Sequence, residues 1–284
     1  MDDKQTDSVV QRRHLGKALK RMRETCELTL SDVDAAGVNK SRLSRIENGK
    51  LAATQDDLHR LMELYSAARD GGTDPTAIAH AAQAREWWRP YQLDRVYVEF
   101  IAFEDEAAEE FTYHPTVVPG LLQTFAYARA VGLGNSSPSA VEKAEAAAKV
   151  RVLRQRVLTR EGPLRSINYI TETALRLNVG GDDVMREQLE HLLEAAELPT
   201  VEVRVLPFAA GEVAAHGSGA TLLTFDDEDS SSVVFLSTML GEIMRDRAKD
   251  VTEVERQLRK LRGVALPTSE SLALIRSILK ERAT

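Results

Sequence analysis

The stretch that most constrains this chain is residues 28–50, LTLSDVDAAGVNKSRLSRIENGK. Ser31 is placed to cap a short helix, with Asp34 three residues on in capping-box spacing. Gly37 stops that helix, because glycine enters the left-handed conformation of a tight turn without a Cβ clash. Asn39 caps a second helix, on which Leu43 and Ile46 share one face. Lys40, Ser41, Arg42, Ser44 and Arg45 fall on the other, and Gly49 closes the helix. Two short helices joined by a glycine turn, the second cationic on its outer face, form a helix-turn-helix. Such a helix fits the major groove of DNA and carries short polar and basic side chains to base edges. The DNA-facing candidates are Thr29, Asn39, Lys40, Ser41, Arg42, Ser44, Arg45 and Lys50.

A net charge of −7 argues against nucleic acid only if it is spread evenly. It is not. Residues 12–50 hold ten Lys/Arg against five Asp/Glu, a local excess of five positive charges. Such a patch suits phosphate contact and salt-dependent affinity. The flanking sequence fits a small bundle. Leu15, Leu19 and Met22 give an amphipathic helix over about 12–26, and Leu58, Leu61, Met62 and Tyr65 line another behind a Thr54/Asp57 capping box. Gly71-Gly72 and Asp74-Pro75 mark the break between a first domain, residues 1–72, and a second, residues 73–284.

With aromatics at 5% and few glycines or prolines, the chain reads as mainly α. The second domain reads as α+β, with a small mixed or antiparallel sheet. Strands are expected at 164–171, 201–206, 220–225 and 233–236, and helices at 139–160, 182–198, 250–262 and 268–282. In residues 117–131 an extended segment breaks at Pro119-Gly120, and Leu121, Leu122, Phe125 and Ala128 then form an apolar helical face. The acidic run FEDEAAEEF, residues 103–111, reads as a solvated helix face, because no histidine stands at a metal-ligand offset from its carboxylates. GEVAAHGSG, residues 211–219, reads as a hairpin connection. His216 within it is a candidate ligand or pH-sensing group. Trp87, Trp88 and Tyr91 are candidates for contact with a ligand or partner, although two adjacent tryptophans also serve as packing anchors.

Two family resemblances follow from these strings. SRLSRIENGK is similar to the recognition helix of the Cro/phage-repressor-type, or xenobiotic-response-element, helix-turn-helix. The resemblance implies that Asn39, Lys40, Ser41 and Ser44 lie at the groove, that Leu43 and Ile46 are core, and that Glu47 is structural. Two departures are the segment from Leu28 to Gly37, one residue shorter than the common form, and Leu30, where a phosphate-binding glutamine is frequent. Further on, Trp87-Trp88, VPGLLQT and YARA within 117–131, RVLRQRVL at 151–158, ITETALRLNVGG at 170–181, VRVLP at 203–207 and ALPTSES at 265–271 resemble the domain behind the helix-turn-helix in actinobacterial regulators of the WhiJ type. That resemblance implies a role in development or specialised metabolism, and a small acidic partner protein encoded by a neighbouring gene.

The expected function is a sequence-specific transcription regulator that binds double-stranded DNA as a homodimer on a palindromic operator. Its second domain would be controlled by a protein partner or a ligand. The alternative is an antitoxin-like interaction module with weak or lost DNA binding, which intramolecular salt bridges from Lys40 and Arg42 would favour. An enzyme is not expected. The six histidines are scattered, no nucleophile elbow or phosphate loop is present, and no cofactor or metal is implied. A single cysteine, Cys26, and the lack of any apolar run of membrane length point to a cytoplasmic, nucleoid-associated protein.

Overall fold

The computed structural model describes residues 9–35, 37–67, 87–91, 93–134, 141–215, 217–226, 231–239 and 241–282. The chain divides into two compact units, residues 1–89 and 90–284. The break expected at 74–75 and the candidate His216 lie outside the described residues.

The first unit contains α1 (Val9–Thr25), α2 (Leu30–Ala35), α3 (Lys40–Glu47) and α4 (Gln55–Ala67). Leu19, Val33, Leu43, Ile46, Leu61 and Tyr65 close a core in which none is more than 2% exposed. The cap of α2 differs from expectation. Thr29, not Ser31, starts the helix: its Oγ1 accepts the Asp32 N–H at 3.2 Å, and Asp32 Oδ2 accepts the Thr29 N–H at 2.7 Å. Ser31 sits inside the helix, and Asp34 instead accepts the Lys40 N–H at 2.8 Å across the turn. The Thr54/Asp57 box on α4 forms as its spacing predicts, with 2.7 and 3.1 Å bonds.

The second unit is built on a six-stranded mixed sheet in the order β3-β2-β1-β4-β5-β6. Its strands are β1 (Glu109–His114), β2 (Arg165–Thr171), β3 (Val201–Leu206), β4 (Gly219–Thr224), β5 (Val233–Thr238) and β6 (Gly241–Arg245). β1, β2 and β3 run parallel, which requires crossovers. Helices α6 (Phe125–Gly134) and α7 (Val141–Arg154) lie in the first crossover, and α8 (Glu172–Arg176) and α9 (Asp182–Ala195) in the second. β4, β5 and β6 continue the sheet antiparallel from β1. Before the sheet comes α5 (Arg95–Glu104), and after it α10 (Ala248–Val264) and α11 (Thr268–Glu281).

One sheet face is apolar. Tyr113, Ile167, Tyr169, Leu222 and Val234 pack there against Val251, Leu258 and Leu261, which recur at helical spacing on α10. The other face is mixed. Phe235 meets Phe100 of α5 edge-to-face at 4.9 Å, while Glu110, Thr112, Ser166, Asn168 and Thr221 form a buried polar strip on three adjacent strands. Above it Arg154 of α7 forks onto Glu104, with Nε to Oε2 at 2.6 Å and Nη2 to Oε1, and donates to the Tyr97 hydroxyl at 2.9 Å. Both ions are almost fully buried. Burial pushes the Glu104 carboxyl up and Arg154 pulls it down. The fork offers two donors and no acceptor, so both carboxylate oxygens must be bare, and we assign the ionised form.

Several expectations are corrected here. The acidic run is not one helix face: it ends α5, turns, and enters β1, burying Glu104 and Glu110. Residues 211–219 are not a hairpin, because β3 and β4 are separated by β2 and β1. Leu121, Leu122 and Ala128 are buried as expected, the two leucines in a 3-10 turn (Gly120–Leu122), but Phe125 at the start of α6 is 40% exposed and Tyr127 is buried in its stead.

Removing one member of the buried pair should be costly. Arg154→Leu is expected to lower unfolding free energy in urea by about 3–5 kcal/mol, because Glu104 is left charged and unpaired. Adding Glu104→Leu should recover much of that loss. A second prediction concerns Glu110, whose carboxyl burial and the nearby Glu104 charge raise from 4.5 to about 8. Between these values the folded chain keeps a proton that the unfolded chain has lost, so stability falls as pH rises from about 4.5 to about 8. Glu110→Gln should remove that fall. Compared by denaturation at pH 5 and pH 8, the variant should gain on the wild type by on the order of 1 kcal/mol per pH unit.

Candidate nucleic-acid interface

The geometry of α3 is fixed from both ends. At its start, Asn39 Oδ1 accepts the Arg42 N–H at 3.0 Å, so Asn39 is the cap its position predicts. Gly37 has φ +93°, which a residue with a side chain adopts only under strain. At its end Glu47, 6% exposed, accepts both Nε (2.8 Å) and Nη2 (3.0 Å) of Arg23 from α1. Arg23 Nη1 then donates to the Leu28 carbonyl at 2.8 Å. This places Glu47 in the structural role that the resemblance implies.

Close approach of α1 to the end of α3 depends on glycine at two points. A Cβ on Gly16 would stand 2.4 Å from the carbonyl oxygens of Ile46 and Glu47. On Gly49, where φ is +66°, it would stand 2.4 Å from Arg13 Cγ. Gly16 was not singled out by sequence, since a glycine within an amphipathic helix carries no local signal of what packs against it.

The remaining side chains sort by angle around the helix. At about 100° per residue, Lys40, Ser41, Ser44, Arg45 and Asn48 share one arc, and Leu43, Ile46 and Glu47 occupy the opposite one. Lys40, Ser41, Arg45 and Asn48 are exposed and Ser44 is half-buried. Neither Lys40 nor Arg45 makes an ion pair among the described residues. Asn48 belongs to this arc but was not among the candidates, because it lies past the periodic apolar residues in the sequence. Arg42 falls between the arcs. Its Nε and Nη2 donate to Asp57 at 2.8 and 2.7 Å, tying α3 to the start of α4. Thr29 is exposed, with its hydroxyl donating to Asp32 at 2.6 Å, and Lys50 is exposed after α3.

Trp87 and Trp88 close the first unit, and Tyr91 opens the second. Trp88 is 6% exposed, its ring edge-to-face with Trp87 at 5.6 Å, and Tyr91 is half-buried in a 3-10 turn.

Comparison with known families agrees with this division of the chain. A helix-turn-helix domain family matches residues 14–71, and a family described as a domain of unknown function, DUF5753, matches residues 97–277. The chain belongs to the DUF5753 family. The match takes in the sheet of the second unit and most of its helices, from within α5 to within α11, so the family is defined by that unit while the DNA-binding motif precedes it. No curated protein and no solved structure matches the chain. No described helix is long and apolar enough to cross a membrane, and no group of three His, Cys, Asp or Glu side chains suited to a metal occurs among the described residues.

Asp57 ties the cap of α4 to Arg42 of α3, and the Arg42 bond holds its carboxyl well below the usual range. A depressed folded value contributes stability above the unfolded value near 4 and loses it below. Asp57→Asn should therefore destabilise the chain at pH 7 by about 1–2 kcal/mol in thermal or urea unfolding. That difference should shrink as pH falls below about 4.

Proposed function

We propose that this DUF5753 protein is a sequence-specific transcription regulator of the xenobiotic-response-element type, binding a palindromic operator as a homodimer. The observation that carries the reading is the exposed arc of Lys40, Ser41, Ser44 and Arg45 on a helix whose other groups are all committed to the fold. Short hydroxyls beside long cations suit base edges and phosphates respectively. Thr29, Asn39 and Lys50 are the other exposed candidates for contact with DNA. Arg42 acts by holding α3 against α4, and reads no base while its fork is on Asp57. A helix of eight residues reads only a few base pairs, so dimerisation through the second unit supplies the remaining specificity. The second unit takes the controlling input, from a small acidic partner protein or a ligand, in actinobacterial development or specialised metabolism.

One observation favours a second reading. The Arg42–Asp57 pair is the kind of intramolecular bridge expected of an antitoxin-like interaction module that has lost DNA binding. Lys40 makes no such bridge among the described residues, and this leaves the DNA-binding reading in front.

The deciding experiment is binding of the full chain to its own promoter fragment and to an unrelated fragment over a salt series. The regulator should prefer its own promoter and show a steep loss of affinity with salt. Lys40→Ala and Ser41→Ala should each weaken specific binding by about 1–3 kcal/mol without changing the melting temperature. Equal, weak binding to both fragments would favour the interaction module.

A further inference from the structure

The two edges of the sheet end differently. At β3 the Val205 N–H donates to Ser271 Oγ at 2.9 Å, and the Val205 carbonyl accepts the Leu266 N–H at 2.9 Å. The turn before α11 and the start of that helix thus close this edge. At the other edge β6 pairs with β5 alone. Two residues separate Thr238 of β5 from Gly241 of β6, and the pair that closes so short a connection is hydrogen-bonded. Bonded and non-bonded pairs alternate along an antiparallel ladder. Gly241, Ile243 and Arg245 therefore turn their N–H and C=O groups to β5, while Glu242 and Met244 turn theirs outward. Among the described residues one of these four outward groups is engaged: Arg245 Nη1 donates to the Met244 carbonyl at 2.9 Å.

The side chains of β6 alternate as well. Met244 pairs with Phe235 on the face that α5 meets, and it and Glu242 are half-buried. Gly241, Ile243 and Arg245 are exposed on the other face, Ile243 by 37%. The outward groups stand symmetrically about Ile243. Two copies laid antiparallel about that residue set Glu242 opposite Met244 twice, and each outward N–H then meets an outward C=O, making four bonds. Ile243 meets Ile243 of the second copy as a non-hydrogen-bonded pair, the closer of the two kinds. Arg245 faces Gly241, which has no side chain to oppose it. Charge disfavours the neighbouring registers. Centred on Glu242, the pairing would set two Glu242 carboxyls face to face, and centred on Met244 it would set Glu242 against Asp246.

We propose that β6 is a dimer interface, pairing antiparallel with β6 of a second copy about Ile243 and joining two six-stranded sheets into one. Main-chain bonds along the open edge supply the affinity, and the side chains fix the register. The occupant is a second copy because the edge is complementary to itself: its open groups, its exposed isoleucine and its charges all match under one two-fold axis. The interface rests on the homodimer of the regulatory reading and gives that homodimer its surface.

The test uses the full chain with its single cysteine removed by Cys26→Ala, carrying either Ile243→Cys or Arg245→Cys, under mild oxidation. Both positions are exposed, so neither substitution disturbs the core. The pairing brings the two Ile243 Cα atoms to about 4.5 Å, within disulfide reach. The two Arg245 positions lie four residues apart along it, roughly 13 Å, beyond that reach. Ile243→Cys should form a covalent dimer on a non-reducing gel, and Arg245→Cys should not. No covalent dimer from Ile243→Cys, or equal yields from both, overturns the interface. Sedimentation of the unmodified chain up to about 100 μM gives a second readout. A dimer that Ile243→Lys weakens at least about tenfold supports the interface. A dimer that Ile243→Lys leaves unchanged overturns it while the homodimer stands. A monomer at every concentration overturns both, and the promoter-binding experiment then judges DNA recognition alone.

Discussion

Each unit depends on an arginine that has lost its water. A buried guanidinium has five donors to place, and leaving it or its carboxylate partner alone inside protein costs several kcal/mol. Arg23 solves this with Glu47 and the Leu28 carbonyl, and so joins α1 to the end of α3 and to the loop before α2. Arg154 solves it with Glu104 and Tyr97, with its guanidinium 4.6 Å from the Phe100 ring centre, and so joins α7 to α5 over the sheet. These forks set direction more than they add stability. An apolar pair of the same volume would hold the helices about as well, but the bidentate geometry permits only one relative placement.

The same logic explains which polar groups remain for function. On α3 every side chain near the core edge is used: Asn39 caps, Glu47 takes Arg23, and Arg42 takes Asp57. Lys40, Ser41, Ser44 and Arg45 sit beyond reach of those partners, on the arc that faces away from Leu43 and Ile46. The surface that the proposed function offers to a groove is thus what structural pairing leaves over.

Legibility in the sequence followed the apolar pattern. Leu43 and Ile46, the Thr54/Asp57 box, β3 and the helices on either side of Pro267 all stand within a few residues of where spacing puts them. Failures occurred where a polar residue is buried. The start of β1, residues 109–111, reads as helix with the acidic run, because the inward positions Glu110 and Thr112 are polar and break the alternation that marks a strand. β6 is short, at a sheet edge, and only partly covered, so it gives almost no pattern. Of the interface, the polar outer face was legible, and the commitment of Arg42 was not. Asp57 also belongs to a capping box complete in itself, and no local signal shows that its carboxylate accepts from a second helix.

A buried polar residue is hard to see in sequence for the same reason that it informs function. Chain-local rules assign Glu110 to a surface, and the tertiary fold places it on the floor of a sheet face with one oxygen unsatisfied. Such a position is unfavourable unless something compensates it. Here burial and the neighbouring Glu104 charge supply the compensation by raising its carboxyl to about 8, so the group is carried neutral at pH 7.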